Sequence, residues 1–195
     1  MLKLLYTQRS PYARKVRIVA LEKKIELELI DENLLSKSEL LIKSNPSSKV
    51  PTLILDNGQS YFDSKVIVQY LEYLTYSPRV IPNDPLKRLE VLKWEALSDD
   101  LISVAINVVM EKIRHPQDFN QDFITAGESS IKRAYATIET QLDQLTEFNL
   151  SSINLACAIG YIQFRLPHIT IEGKLLSWFE AISTRPSLVD TKPVG

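Results

Sequence analysis

Cysteine is nearly absent: of 195 residues only Cys157 carries a thiol. A lone thiol excludes an internal disulfide framework and leaves no basis for a cysteine-built metal site. It lies in the apolar helical run from Asn154 to Ile159, where the plain reading is a small buried hydrophobe. Histidine is almost as scarce. His115 stands beside Pro116 in a loop and His168 follows Pro167, each without a ligand partner at helical spacing, so neither metal ligation nor a catalytic triad is expected. No apolar run reaches the roughly 18 residues of a membrane span, and Met1-Leu2-Lys3-Leu4 enters a strand pattern rather than a signal-peptide layout. A cytoplasmic protein with no membrane partner is the expectation. Charge of one sign is missing too, since 23 basic and 24 acidic residues leave a net charge of −1, which gives nucleic acid nothing to grip. There is no internal repeat and no low-complexity segment.

What is present is a hydrophobic content of 45%, sufficient for a core in one or two domains. Leu2, Leu4 and Tyr6 alternate as a strand with Tyr6 on the core face, and Val16, Val19 and Ala20 follow at helical spacing. Ile25 to Ile30 alternates strictly, so strand, helix and strand form a βαβ unit with parallel strands. A polar stretch with a small helix around Leu40-Leu41-Ile42 leads to a third strand over Pro51 to Leu55. The turn Asp56-Asn57-Gly58 then joins it to an antiparallel fourth strand, Gln59 to Phe62. A helix follows, capped by Asp63 or Ser64 and carrying Val66, Ile67, Tyr70, Leu71 and Leu74 at helical spacing. The proline-rich stretch that includes Pro78, Pro82 and Pro85 reads as a linker. These signals divide the chain into a domain at 1–77, a linker at 78–85 and an all-helical domain at 86–195. In the latter, helices are predicted from Leu86 to Ile113, Phe123 to Phe148, Ser152 to Leu166 and Glu172 to Ser183. The first has an apolar face wide enough to suggest burial against a partner subunit as well as its own domain.

The segment from Thr7 to Arg17, T-Q-R-S-P-Y-A-R-K-V-R, is a strand-to-helix turn in which Ser10 precedes Pro11, a residue suited to the first helical position. A small hydroxyl is thereby set where unpaired backbone donors and the positive end of the helix dipole converge, a place for holding an anion. Arg9 and Arg14 flank it, either to raise the local positive potential or simply as solvated side chains.

Ser10-Pro11-Tyr12-Ala13 resembles the Cys-Pro-Tyr-Cys centre of glutaredoxins with both thiols replaced. Disulfide exchange needs an attacking thiolate and is excluded, but binding a thiol is not. With Lys15 and Arg17, Ser10 also resembles the serine motif of zeta-type glutathione transferases, and the segments Asn45-Pro46-Ser47-Ser48-Lys49-Val50-Pro51-Thr52-Leu53 and Phe62-Asp63-Ser64 resemble that family's glutathione-site signatures. The helix from Asn154 to Arg165 is similar to one in a small bacterial group of glutathione transferase-like proteins. The resemblance implies an α/β thioredoxin-like N-terminal domain plus an all-α C-terminal domain, with glutathione as co-substrate, no metal, and a homodimer acting on small electrophiles in detoxification. Residue by residue it implies Ser10 as the catalytic group that stabilises the glutathione thiolate. Val50 pairs its backbone with the cysteinyl unit across a cis bond to Pro51, Lys49 faces the glycyl carboxylate, and Asp63 with Ser64 receives the γ-glutamyl end. Ser151-Ser152-Ile153-Asn154 resembles the capping box that opens the central helix of the family's second domain, and three departures stand out: Asp63 where the family more often has Glu or Gln, Asn154 in place of the capping-box Asp, and Tyr12 where zeta-type enzymes have a further cysteine. Trp94, Met110, Arg114 and Tyr161 are candidates for the wall of an electrophile cleft. Two other readings of the same resemblance are a transferase-fold interaction protein of the kind represented by stringent starvation protein A, and a glutathione-dependent cis-trans isomerase of zeta type.

Overall fold

The computed structural model describes residues 1–194. The chain forms two compact units, Met1–Pro82 joined by the segment from Pro186 onward, and Asn83–Arg185. No helix among the described residues is long and apolar enough to cross a membrane.

The first unit is an α/β layer of thioredoxin-like order: β1 (Leu2–Tyr6), α1 (Pro11–Glu22), β2 (Leu27–Asp31), α2 (Glu39–Ser44), β3 (Thr52–Ile54), β4 (Ser60–Tyr61) and α3 (Ser64–Leu74). The sheet runs β2-β1-β3-β4, with β1 parallel to β2 and antiparallel to β3, and β3 antiparallel to β4. β1 is an interior strand, and Leu4 and Leu5 are both completely buried although their side chains leave opposite faces. Each later strand is shorter than its alternation predicts, for a local reason. The Ile25 N–H bonds to the Ala20 carbonyl to close the turn after α1, so β2 starts only at Leu27. At β3, Pro51 has no N–H to give a ladder. At the other end Leu55 closes the Asp56–Gly58 turn by donating to Gln59 O, and Gly58 takes the positive φ of 83° that this turn demands.

The second unit is helical: α4 (Pro85–Arg114), α5 (Gln121–Gln141) with a 3-10 turn at Leu142–Gln144, α6 (Leu150–Arg165) and α7 (Gly173–Ser183). Asp84, Asn120 and Asn149 cap α4, α5 and α6 through side-chain oxygens that accept from early helix N–H groups. The Asn149 cap starts α6 before the expected Ser151-to-Asn154 box, and Asn154 has another job. It is fully buried and donates to the Glu95 carbonyl and to Asp99 Oδ1, both at 2.9 Å, tying α6 to α4. α5 ends well short of Phe148 because the chain tightens into the 3-10 turn. Gly127 lets α5 approach α4 closely: a Cβ there would meet Val108 Cγ2 at 2.5 Å. A last short helix, α8 (Pro186–Val189), was not foreseen; it packs on α1 in the first unit rather than with the other C-terminal helices.

Candidate functional site

Strand register decides which loops meet. Tyr6 ends β1 opposite Asp31, Leu5 pairs with Thr52 at the start of β3, and Leu53 pairs with Tyr61 at the end of β4. The segment after β1 (Thr7 to Ser10), the segment before β3 (Lys49 to Pro51) and the segment after β4 (Phe62 to Ser64) therefore emerge at one end of the sheet. All five sequence-selected residues, Ser10, Lys49, Val50, Asp63 and Ser64, lie in those segments.

Ser10 is the N-cap of α1, with extended backbone (φ −76°, ψ 116°), and Pro11 occupies the first helical position. Its Oγ accepts from the Ala13 N–H at 3.2 Å, and its carbonyl accepts from Arg14 N–H at 2.9 Å, which closes the first turn. A hydroxyl can accept and donate at once. The Oγ hydrogen has no acceptor among the described residues, so one donor remains for a ligand, half-exposed at the positive end of a 12-residue helix.

The loop before β3 is held from inside. Asn45 is buried; its Nδ2 donates to the Lys49 carbonyl at 2.9 Å and to Thr52 Oγ1 at 3.1 Å, and its Oδ1 accepts from Ser47 N–H at 2.9 Å. Lys49 projects an exposed ammonium; the Val50–Pro51 peptide is cis; and the N–H and C=O of Val50 have no partner among the described residues. Sequence spacing recognised the Asn-Pro pair but not this bracing, whose signal is an amide side chain four to seven residues from loop carbonyl and hydroxyl groups it must bend back to reach.

Asp63 is the N-cap of α3, its Oδ1 accepting from Lys65 N–H at 2.9 Å, which settles the choice between Asp63 and Ser64. Asp63 is exposed, whereas Ser64, first in the helix, is only 2% exposed. The two carboxylate lone-pair sets of Asp63 exceed what one N–H uses, so the group retains acceptor capacity.

The basic residues around Ser10 sort differently from the sequence pattern. Arg9 is exposed, Lys15 is fully buried, and Arg14 is buried with its guanidinium on residues 188 and 191. Arg17 lies 5.0 Å over the ring of Tyr6, which is itself core; burial lowers the Arg17 pKa, opposed by Tyr6 and Asp31 and reinforced by Arg14. Of the residues considered for a cleft wall, Trp94 and Tyr161 are buried, Met110 is half-buried and Arg114 is exposed. Cys157 is buried, and His168 pairs at 2.9 Å with Glu128. Among the described residues, no group of three or more His, Cys, Asp or Glu is placed to hold a metal ion.

Known proteins with this arrangement share its sequence as well. The profile described as the glutathione S-transferase N-terminal domain matches residues 9–74, the span from the Ser10 turn to the end of α3. The uncharacterized GST-like protein YibF of Escherichia coli is 33% identical over 98% of each chain. A glutathione transferase family member from Pseudomonas fluorescens Pf-5, solved with bound glutathione, superposes with a TM-score of 0.94 at 31% identity over 100% of each chain. A glutathione S-transferase from Methylobacillus flagellatus KT, also solved with glutathione bound, reaches 0.92 at 34% identity, again over 100% of each chain. Similarity of this extent, in sequence and in every element of the fold, makes the chain a member of the glutathione S-transferase family.

Proposed function

We propose that this chain is a glutathione transferase of serine type, resembling zeta enzymes in that feature, which binds glutathione and delivers its sulfur as the thiolate to a small electrophile. The observation that carries the reading is the meeting of three loops at one end of the sheet, with the free Ser10 hydroxyl at a helix start. Three complementary contacts then orient the tripeptide. The unpaired N–H and C=O of Val50 take the cysteinyl backbone as one rung of a sheet, the Lys49 ammonium faces the glycyl carboxylate, and Asp63 accepts from the γ-glutamyl ammonium. Ser64 contributes at the start of α3, where early N–H groups favour the γ-glutamyl carboxylate.

The chemistry follows from magnitudes. A free thiol with a pKa near 8.5 is about 3% ionised at neutral pH, and lowering that value by two units takes about 2.7 kcal/mol of preferential stabilisation of the anion. A hydrogen bond to a charged acceptor supplies roughly 1.5–3 kcal/mol and a helix N-terminus roughly 0.3–1 kcal/mol. One serine at the start of α1 therefore suffices. The thiol proton leaves to solvent, and the sulfur lone pair attacks the electrophilic carbon. With a nitro-activated aryl chloride the C–S bond forms as C–Cl breaks and chloride departs. Such conjugation removes reactive electrophiles, is suited to a cytoplasm rich in reduced glutathione, and is assigned here to a homodimer.

The test separates the cap from the donor. Ser10→Ala removes both and is expected to lower kcat/KM by about 10²-fold, as loss of a single anion-stabilising donor does. Ser10→Gly keeps an acceptable cap, within a few tenths of a kcal/mol, yet is expected to lose the same activity. Thiolate absorbance of the glutathione complex against pH should show the apparent pKa rising towards the free value in both variants. A parent protein that neither retains glutathione on an affinity matrix nor acidifies its thiol would refute the reading.

A further inference from the structure

We infer, resting on the transferase reading above, that the segment from Pro186 to Thr191 is a positioning clamp for Ser10 and that Arg14 is the residue through which it acts. Arg14 closes the first turn of α1, its N–H bonded to the carbonyl of Ser10 itself. Its side chain leaves that turn for the tail: Nη2 donates to the Leu188 carbonyl at 3.1 Å and Nε to Thr191 Oγ1 at 3.4 Å, in a buried environment. The Thr191 hydroxyl in turn donates to the Ser187 carbonyl at 2.7 Å, which fixes the acceptor in place. Two further grips lie along the same helix, Arg17 Nη2 to the Asp190 carbonyl at 3.4 Å and Ser187 Oγ to Glu22 Oε1 at 2.5 Å. Residues 187–191 thus hold α1 from its first turn to its last.

The chemistry of those contacts bears on the site. The acceptors that meet Arg14 are neutral oxygens, a carbonyl and a hydroxyl, so they satisfy the geometry of the guanidinium without cancelling its charge. The clamp accordingly fixes the residue whose N–H closes the first turn on the Ser10 carbonyl, and so sets the helix start on which the Ser10 hydroxyl sits. Without the tail a buried guanidinium loses its acceptors and must turn to water, and the first turn goes with it. Arg14 acts on Ser10 through the backbone and touches no substrate.

Four variants test this: a chain stopped after Arg185, Thr191→Val, Arg14→Lys and Arg14→Met. Each is read by hydrogen exchange at the amides of Ala13 to Val16 without ligand, by kcat/KM with glutathione and a nitro-activated aryl chloride, and by the pH at which the bound thiol ionises. The truncation is expected to speed exchange in the first turn, to raise the thiol's apparent pKa and to lower kcat/KM on the order of 10- to 100-fold, the scale of a small misplacement of a reacting group. Thr191→Val, which alters one acceptor and leaves the fold intact, should move all three in the same direction by less. Arg14→Lys keeps the charge but cannot bridge both acceptors, and should fall between the parent and Arg14→Met. Unchanged exchange in the truncated and Thr191→Val chains, or a kcat/KM within about twofold of the parent, would overturn the clamp. A parent that binds no glutathione would instead refute the transferase reading, with the exchange measurement still deciding whether the tail orders the helix start.

Discussion

Asn45 shows how much of the site depends on a residue that touches no ligand. Its amide satisfies the Lys49 carbonyl, Thr52 Oγ1 and the Ser47 N–H at once, in a buried position. Asn45→Ala strands the groups it served and is expected to cost about 1–3 kcal/mol of stability, seen as a lower urea midpoint. Glutathione affinity should weaken alongside, since Lys49 and Val50 lose their brace. Lys49→Ala is the contrast: the side chain is exposed, so affinity should fall while the urea midpoint stays put. The difference also explains what the sequence could convey at this scale. Ser10 was legible because every signal is local, a small hydroxyl before Pro11 and a helical period after it. Asp63 was half legible, since either of two adjacent residues could cap α3 and only the backbone settles which one accepts from Lys65. Asn45 was not legible, because its role exists only once the loop has doubled back through Ser48 at a φ of 48°.

Among the elements, α1 and α3 are locked by a buried pair. Lys23 at the end of α1 has no exposed side-chain surface; its Nζ lies 3.0 Å from Glu72 Oε1 on α3 and donates to the Thr75 and Pro78 carbonyls at 3.1 and 2.8 Å. The same Glu72 oxygen accepts from the Val80 N–H at 2.8 Å, so the pair also anchors the chain leaving α3. Glu72→Ala would leave a buried ammonium without its counter-charge and is expected to cost about 3–5 kcal/mol. Replacing both residues by apolar ones, Lys23→Met with Glu72→Leu, should recover part of that and no more. The three backbone groups the pair serves would still lack partners. Thermal and urea unfolding of the single and double variants measure both statements. The periodicity of the sequence announced each long helix, yet it could not say which stripe turns inward. On α4 the buried set includes Glu95, Ser98 and Asp99 beside Val91, Leu101 and Ile102: the Asp99 carboxylate accepts from Asn154 of α6, and the Ser98 hydroxyl donates to the Trp94 carbonyl of its own helix. Leu86 and Leu89, which share the helical period, stay exposed on the single chain.

For the whole molecule, the exposed leucines of α4 become the argument for a second subunit. Leu86 and Leu89, at the start of α4, are 75% and 61% exposed, and on α3 Val66 and Tyr73 are exposed as well. Fully covering an exposed leucine side chain is worth about 1.5–3 kcal/mol, and the larger part of that gain, left unrealised on the single chain at both positions, is what a homodimer is expected to collect. Sedimentation at micromolar concentration should therefore give twice the chain mass. The double variant Leu86→Lys with Leu89→Glu should sediment as a monomer. Within the chain these side chains already face water, so the intrinsic stability of the variant, measured at a concentration where the parent is also dissociated, should match the parent's within about 0.5 kcal/mol. A parent that sediments as a monomer would leave these leucines without a role in assembly. A variant that loses stability along with dimerisation would place them in the fold of α4 itself, contrary to their exposure.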